Sequence, residues 1–191
     1  IVNEALEAGV DAEELINGYL IKGMEEIGER FDQGKAFVPN LLLAARAMKG
    51  CLEILKPRLQ NASETSLGTL VIGTVKGDLH DIGKNLVASM LEGCGFEVIN
   101  LGVDISDSQF VDAVRKYNPQ IVCLSALLTT TMSYMKEVID TLANEGLRQK
   151  VKVLVGGAPV SEEFAMQIGA DGYSSNANGA VILAKRILGK C

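Results

Sequence analysis

TLVIGTVKGDLHDIGKNL, residues 69–86, decides the fold. A continuously apolar, β-rich run (69–75) meets Gly77-Asp78, and a helical pattern takes over from about 82 to 93. The same alternation then repeats: FEVINLG, a helix over about 107–117, QIVCLSA, a helix over about 131–145, VKVLVGG, a helix over about 161–167, a short ADGY strand and a last helix over about 177–188. Unbroken apolar strands separated by helices predict a parallel sheet covered on both faces. The expected architecture of 67–191 is therefore a doubly wound α/β domain, flavodoxin- or Rossmann-like, with five parallel strands. Such sheets bind ligands beyond the carboxyl ends of their strands. His80, the single histidine of the chain, falls just past the first strand, between Asp78 and Asp81.

Upstream the period changes. Asp11 can cap a helix with Glu14 three residues on, and Ile16, Leu20, Met24, Ile27 and Phe31 then mark one face. DQGKAF breaks this helix. A second enters at Pro39, runs through Leu42, Ala45, Met48, Leu52 and Leu55, and stops at Pro57. Residues 2–9 read as the end of another helix, so 1–60 is expected to form a small helical bundle. The polar segment 61–66 reads as a linker that would let the bundle move over a modest interface.

Composition narrows the partners. Eighteen basic and twenty-four acidic residues give a net charge of -6, with no basic block suited to nucleic acid or an anionic membrane. The four cysteines are scattered without C-x-x-C, as reduced thiols of a cytoplasmic protein would be. No stretch is long enough to span a bilayer, and IVNEALEAGVDAEE does not read as a signal peptide. Starting at Ile1 rather than Met, the sequence is expected to lack an N-terminal piece.

The histidine loop fits none of the common phosphate or metal motifs. Five residues, not four, separate Gly77 from Gly83, and Asn85 follows Lys84 where a phosphate loop needs Ser or Thr. G-x-G-x-x-G is absent. One histidine and dispersed cysteines supply no tetrahedral zinc set. A flavin site or a phospho-receiver would need a run of hydroxyls or an acidic pair at the right strand end, and neither is there. A loop histidine satisfied by a neighbouring acid is the plain alternative. One histidine suffices, however, where a cofactor brings most of its own coordination sphere.

Asp78-x-His80-x-x-Gly83 resembles the D-x-H-x-x-G signature of cobalamin-binding proteins. The resemblance implies that His80 is the lower axial ligand to cobalt in place of the cofactor's own nucleotide base, whose tail enters a slot beside the sheet. It implies that Asp78 hydrogen-bonds the other ring nitrogen, that Gly83 lets the tail pass, and that Asp81 belongs to the binding loop. Companion motifs stand at neighbouring strand ends. Ser125-Ala126-Leu127 is similar to the family's S-x-L, and Gly156-Gly157 to its paired glycines. A hydroxyl bonded to Asp78 is implied near Thr131; with Thr129, Thr130 and Thr131 in a row, which one reaches it stays open. The upstream G-K-A-F-V-P-N-L-L-L-A-A-R-A-M-K (34–49) resembles the cap of methionine synthase and of small corrinoid proteins. Phe37 and Leu41 are its candidates for contact with the upper corrin face, bundle core being the competing reading of both.

The implied function is a corrinoid methyl carrier of one-carbon metabolism. A substrate-specific methyltransferase would load the cobalt, a second would pass the methyl to an acceptor such as tetrahydrofolate or a thiol coenzyme, and a reductive activation protein would restore oxidised cobalt. Rival readings are a cobalamin-dependent sensor and the cobalamin-binding part of an adenosylcobalamin mutase. The upstream bundle argues against the mutase, and no DNA-binding or signalling module supports the sensor.

Overall fold

The computed structural model describes residues 1–59 and 66–190. Its N-terminal half is helical: α1 (Val2–Glu7), α2 (Ala12–Glu14), a π-helical segment (Leu15–Leu20), α3 (Ile21–Asp32) and α4 (Val38–Leu55). The Asp11 side chain accepts from the Glu13 and Glu14 N–H groups at 2.8 and 3.1 Å, which supplies the cap for α2. At the start of α4, the Asn40 side chain accepts from the Phe37 N–H at 2.9 Å, and Pro39 occupies a position whose missing donor costs nothing. A 3-10 turn, Lys56–Arg58, contains Pro57 and ends α4. The expected linker, 61–66, lies outside the described residues except for Ser66.

The second half alternates β1 (Thr69–Val75), α5 (Ile82–Gly93), β2 (Glu97–Ile105), α6 (Asp107–Tyr117), β3 (Ile121–Ser125), α7 (Ser133–Asn144), β4 (Lys152–Gly156), α8 (Glu162–Ile168), β5 (Gly172–Ser174) and α9 (Ala177–Ile187). All strand pairs are parallel, in the order β2-β1-β3-β4-β5. The strand order reverses between β1 and β3, so the loops after these two strands diverge and leave a crevice there. The five-stranded doubly wound sheet is thus as the apolar runs predict.

Two hydrophobic clusters fill the molecule. One lies against α6, α7 and α8, around Phe110, Met135 and Leu142. The other joins the opposite sheet face, α5 and α9 to the bundle: Met24, Leu41, Ala45, Met48 and Leu52 share it with Ile72, Leu91, Cys94 and Val181. Here the expectation of a modest cap interface is corrected. The helices α4 and α5 approach so closely that a Cβ on Gly93 would stand 3.0 Å from Ala45 Cα. Polar contacts add to the seam, with Asn178 donating to Asp32 at 2.6 Å and Lys185 to Glu25 at 3.1 Å. The bundle is a continuation of the core.

Candidate functional site

The loop after β1 is held from three directions. The Thr74 hydroxyl, buried at the end of β1, donates to the His80 carbonyl at 3.0 Å. From β2, Asp104 accepts the Gly77 N–H at 2.7 Å, and its own N–H donates to the Asp78 carbonyl at 3.0 Å. Asp104 holds a left-handed φ of 55° to do so, where the β1–β2 register is irregular. The third hold is the Asp78 carboxylate, which is fully buried. Its Oδ1 accepts from His80 N at 3.1 Å and His80 Nδ1 at 2.7 Å. Its Oδ2 accepts from Leu127 N at 2.8 Å, Leu128 N at 3.2 Å and Thr131 Oγ1 at 2.8 Å.

Burial alone would raise the Asp78 pKa. The hydrogen bonds from the Leu127 and His80 N–H groups, the imidazole and the Thr131 hydroxyl outweigh it and hold the carboxyl well below the usual carboxylate range. An ionised carboxylate only accepts, so His80 Nδ1 carries a proton toward it and a neutral ring keeps its lone pair on Nε2. The ring is about half exposed, at 51%. The loop therefore presents one oriented imidazole, Nδ1 turned to Asp78 and Nε2 turned away from it, at the topological switch point.

Beside it opens a cavity of about 540 Å³ between the strand ends, α5 and α9, within the roughly 300–1,000 Å³ of small-molecule sites. Its lining includes His80, Asp81, Gly83, Ser125, Leu127, Gly156 and Gly157, so the structure brings together residues from all three motifs. Gly83 has open space where a Cβ would stand, and its backbone needs no glycine conformation. The room it leaves suits a bound group. Gly157 differs. At φ +131° a Cβ there would lie 1.9 Å from the Ala126 carbonyl oxygen, so the fold itself requires this glycine, whatever passes beside it. A Cβ on Gly156 would meet only the Ser174 carbonyl oxygen, at 3.2 Å.

Of the three consecutive threonines, Thr131 reaches Asp78, while Thr129 and Thr130 are exposed. The cap candidates are not brought to the cavity. Leu41 is fully buried in the seam with the α/β half, and Phe37 is 69% exposed. Phe31, at the end of α3, is the bundle residue in the lining. Sequence reasoning also missed Thr74, Asp104, Lys84 and the Ser174-Ser175-Asn176 turn. The hydroxyl at 74 in an apolar strand was a signal, as was the position of 174–176 after the last strand; Asp104 left none. Lys84 is nearly buried and donates to Asn85 and Asn100 at 2.6 and 2.7 Å. Burial lowers its pKa, and the nearby Asp81 charge opposes that shift.

Two family models, each described as a B12 binding domain, match residues 68–182 and 1–56. The chain is 47% identical over 190 residues to trimethylamine corrinoid protein 2 of Methanosarcina mazei, covering 98% of this chain and 87% of that one. It is 44% identical to the dimethylamine corrinoid protein of Methanosarcina barkeri over 188 residues, 98% of this chain and 88% of the other. Among solved structures, a cobalamin-binding protein from Desulfitobacterium hafniense superposes with a TM-score of 0.84 at 41% identity, covering 97% and 88% of the two chains. The methanol:cobalamin methyltransferase complex of Methanosarcina barkeri gives 0.84 at 35% identity, covering 99% and 72%.

Proposed function

This chain belongs to the B12-binding family, and from that premise we propose that it is a corrinoid methyl carrier serving a methylamine methyltransferase. The observation that carries the reading is the Asp78–His80 pair, an oriented imidazole beside a cavity of about 540 Å³. A bound corrinoid supplies a cobalt that can take up and release a methyl group.

The chain's own residues do the rest. His80 Nε2 carries the lone pair that would hold the cobalt, and Asp78 would keep Nδ1–H in place and make the ring a stronger donor. The Asp78 carboxylate, 2.7 Å from Nδ1, would hold the ring in one orientation whether or not Nε2 is engaged by the cofactor. Leu127, Leu128 and Thr131 anchor Asp78 to the β3 loop, so the histidine has a fixed partner. Asp81 and Gly83 line the entrance, with Ser125, Leu127 and Gly156 across the slot. Phe31 is the bundle residue at the slot, and Phe37, exposed just before α4, is a cap side chain left free to meet a ligand.

The partner class comes from the relatives' names, in which trimethylamine and dimethylamine predominate. A second methyltransferase unloading the group and a reductive activation protein complete the cycle. No described helix is long and apolar enough to cross a membrane, and Cys51, Cys94 and Cys123 are free thiols, which supports a cytoplasmic setting.

Electron paramagnetic resonance of the Co(II) form with nitrogen-15-labelled protein tests the ligand. Coupling to one protein nitrogen is expected, lost in His80→Ala. Coupling to the nucleotide base alone would overturn the assignment. Methylation of the cofactor upon adding a methylamine methyltransferase tests the carrier role.

A further inference from the structure

The side chains of the slot come in two layers set by strand register. Ile72, Cys123 and Leu154 pair across β1, β3 and β4, and two residues on, at the carboxyl ends, Thr74, Ser125 and Gly156 form the next row on the same face. Thr74 is buried and donates to the His80 carbonyl, so Ser125 and the Ser174-Ser175-Asn176 turn stand at the mouth. The interior row is apolar except for one thiol, and Leu91 of α5 and Leu183 of α9 close its sides.

We propose that this slot selects the cofactor's lower base, taking a benzimidazole or phenol-type ring and discriminating against a purine. The inference rests on the corrinoid reading and names the class of corrinoid. A sugar and phosphate find polar partners at the mouth, while the base at the end of the tail must enter the apolar row. Adenine brings several ring nitrogens and an amino group that need hydrogen-bond partners. The peptide groups of the row belong to strands already paired in the sheet. Cys123 is the one polar side chain of the row, and burial pushes its thiol up to about 12, so it remains a neutral, weak donor. One such donor can satisfy the single bare nitrogen of a benzimidazole, and a phenol-type ring places no such demand. A single unpaired buried polar group weakens binding by roughly ten-fold or more.

The decisive comparison uses the full chain purified without cofactor, titrated with p-cresolylcobamide and with adenylcobamide and followed by calorimetry. The p-cresolyl base never ligates cobalt and adenine ligates it weakly, so detachment of the base contributes little to either affinity. The cresolyl form is expected to bind at least about ten-fold more tightly. Leu154→Asn, which places an amide in the inner row, is expected to narrow that ratio several-fold. Equal affinities, or tighter binding of the adenyl form by the unaltered chain, would overturn base selection and leave the carrier reading intact. Failure of both cobamides to bind would remove the carrier reading and this inference with it.

Discussion

Asp78 and Leu41 are both fully buried, one in the histidine loop and the other in the seam between bundle and α/β domain, and they hold their regions in opposite ways. Asp78 acts through five directed hydrogen bonds from His80, Leu127, Leu128 and Thr131, each with a donor in a fixed place. Leu41 acts through contact area shared with Met48, Leu91 and Cys94. A directed network accepts almost no substitute, whereas an apolar seam accepts any side chains that fill the volume. The loop is consequently the part of the site least open to substitution.

The comparison breaks if the seam proves the more sensitive region. Asp78→Ala removes the acceptor from the buried donors at once, and unfolding in urea should show a loss of about 3–5 kcal/mol, each orphaned group costing roughly 1–3 kcal/mol. Leu41→Ala should cost about 2–4 kcal/mol through lost burial and the cavity left behind. A larger loss at Leu41 would reverse the ranking. Acid sharpens the same point. Because the folded-state pKa of Asp78 is depressed, its contribution is fully present above the unfolded carboxyl value of about 3.9 and is lost as pH falls below it toward the folded value. The stability gap between the unaltered chain and Asp78→Asn should be level from about pH 7 to pH 5 and narrow below about pH 4. A gap that stays constant to about pH 3 would show that Asp78 is not held ionised.

What was legible in the sequence follows from the same contrast. Asp78, His80 and Gly83 announce themselves because D-x-H-x-x-G places specific residue types at fixed spacing, and the contact of buried Asp78 with His80 shows why the first two go together. The sheet was legible because strands buried on both faces read as unbroken apolar runs. The cap contacts were not, because in a continuous core an apolar residue facing a ligand and one facing another helix look alike; Leu41 faces α/β residues, and Phe31 reaches the cavity. Asp104 escaped notice because its role depends on a left-handed backbone and an irregular strand register, neither written in a pattern of residue types.

The paired glycines allow a finer division between fold and ligand. Gly157→Ala should destabilise the chain without cofactor by about 2 kcal/mol or more, since its Cβ would overlap the Ala126 carbonyl and its φ is one that L side chains avoid. Gly156→Ala should cost no more than about 1 kcal/mol, because a shift of a few tenths of an ångström relieves its contact with Ser174. Thermal unfolding of both variants without cofactor decides this. Equal losses would mean that the strand end is more pliant than its geometry implies.

The smallest effect on stability is expected at Gly83, where its sign carries the information. Gly83 lies in the first turn of α5, with open space at its Cβ position and a backbone that other residues adopt freely. Alanine there lowers the entropy of the unfolded chain and improves helix propensity, so Gly83→Ala should stabilise the protein without cofactor by about 0.5 kcal/mol. If the open space belongs to the corrinoid tail, the same methyl group intrudes on it, and cobalamin affinity should fall by about ten-fold or more. A more stable protein that binds its cofactor less well would place the reason for this glycine in the ligand. Unchanged affinity in the stabilised variant would show that the tail does not pass close to Gly83, and that the slot is entered from the Gly156 side.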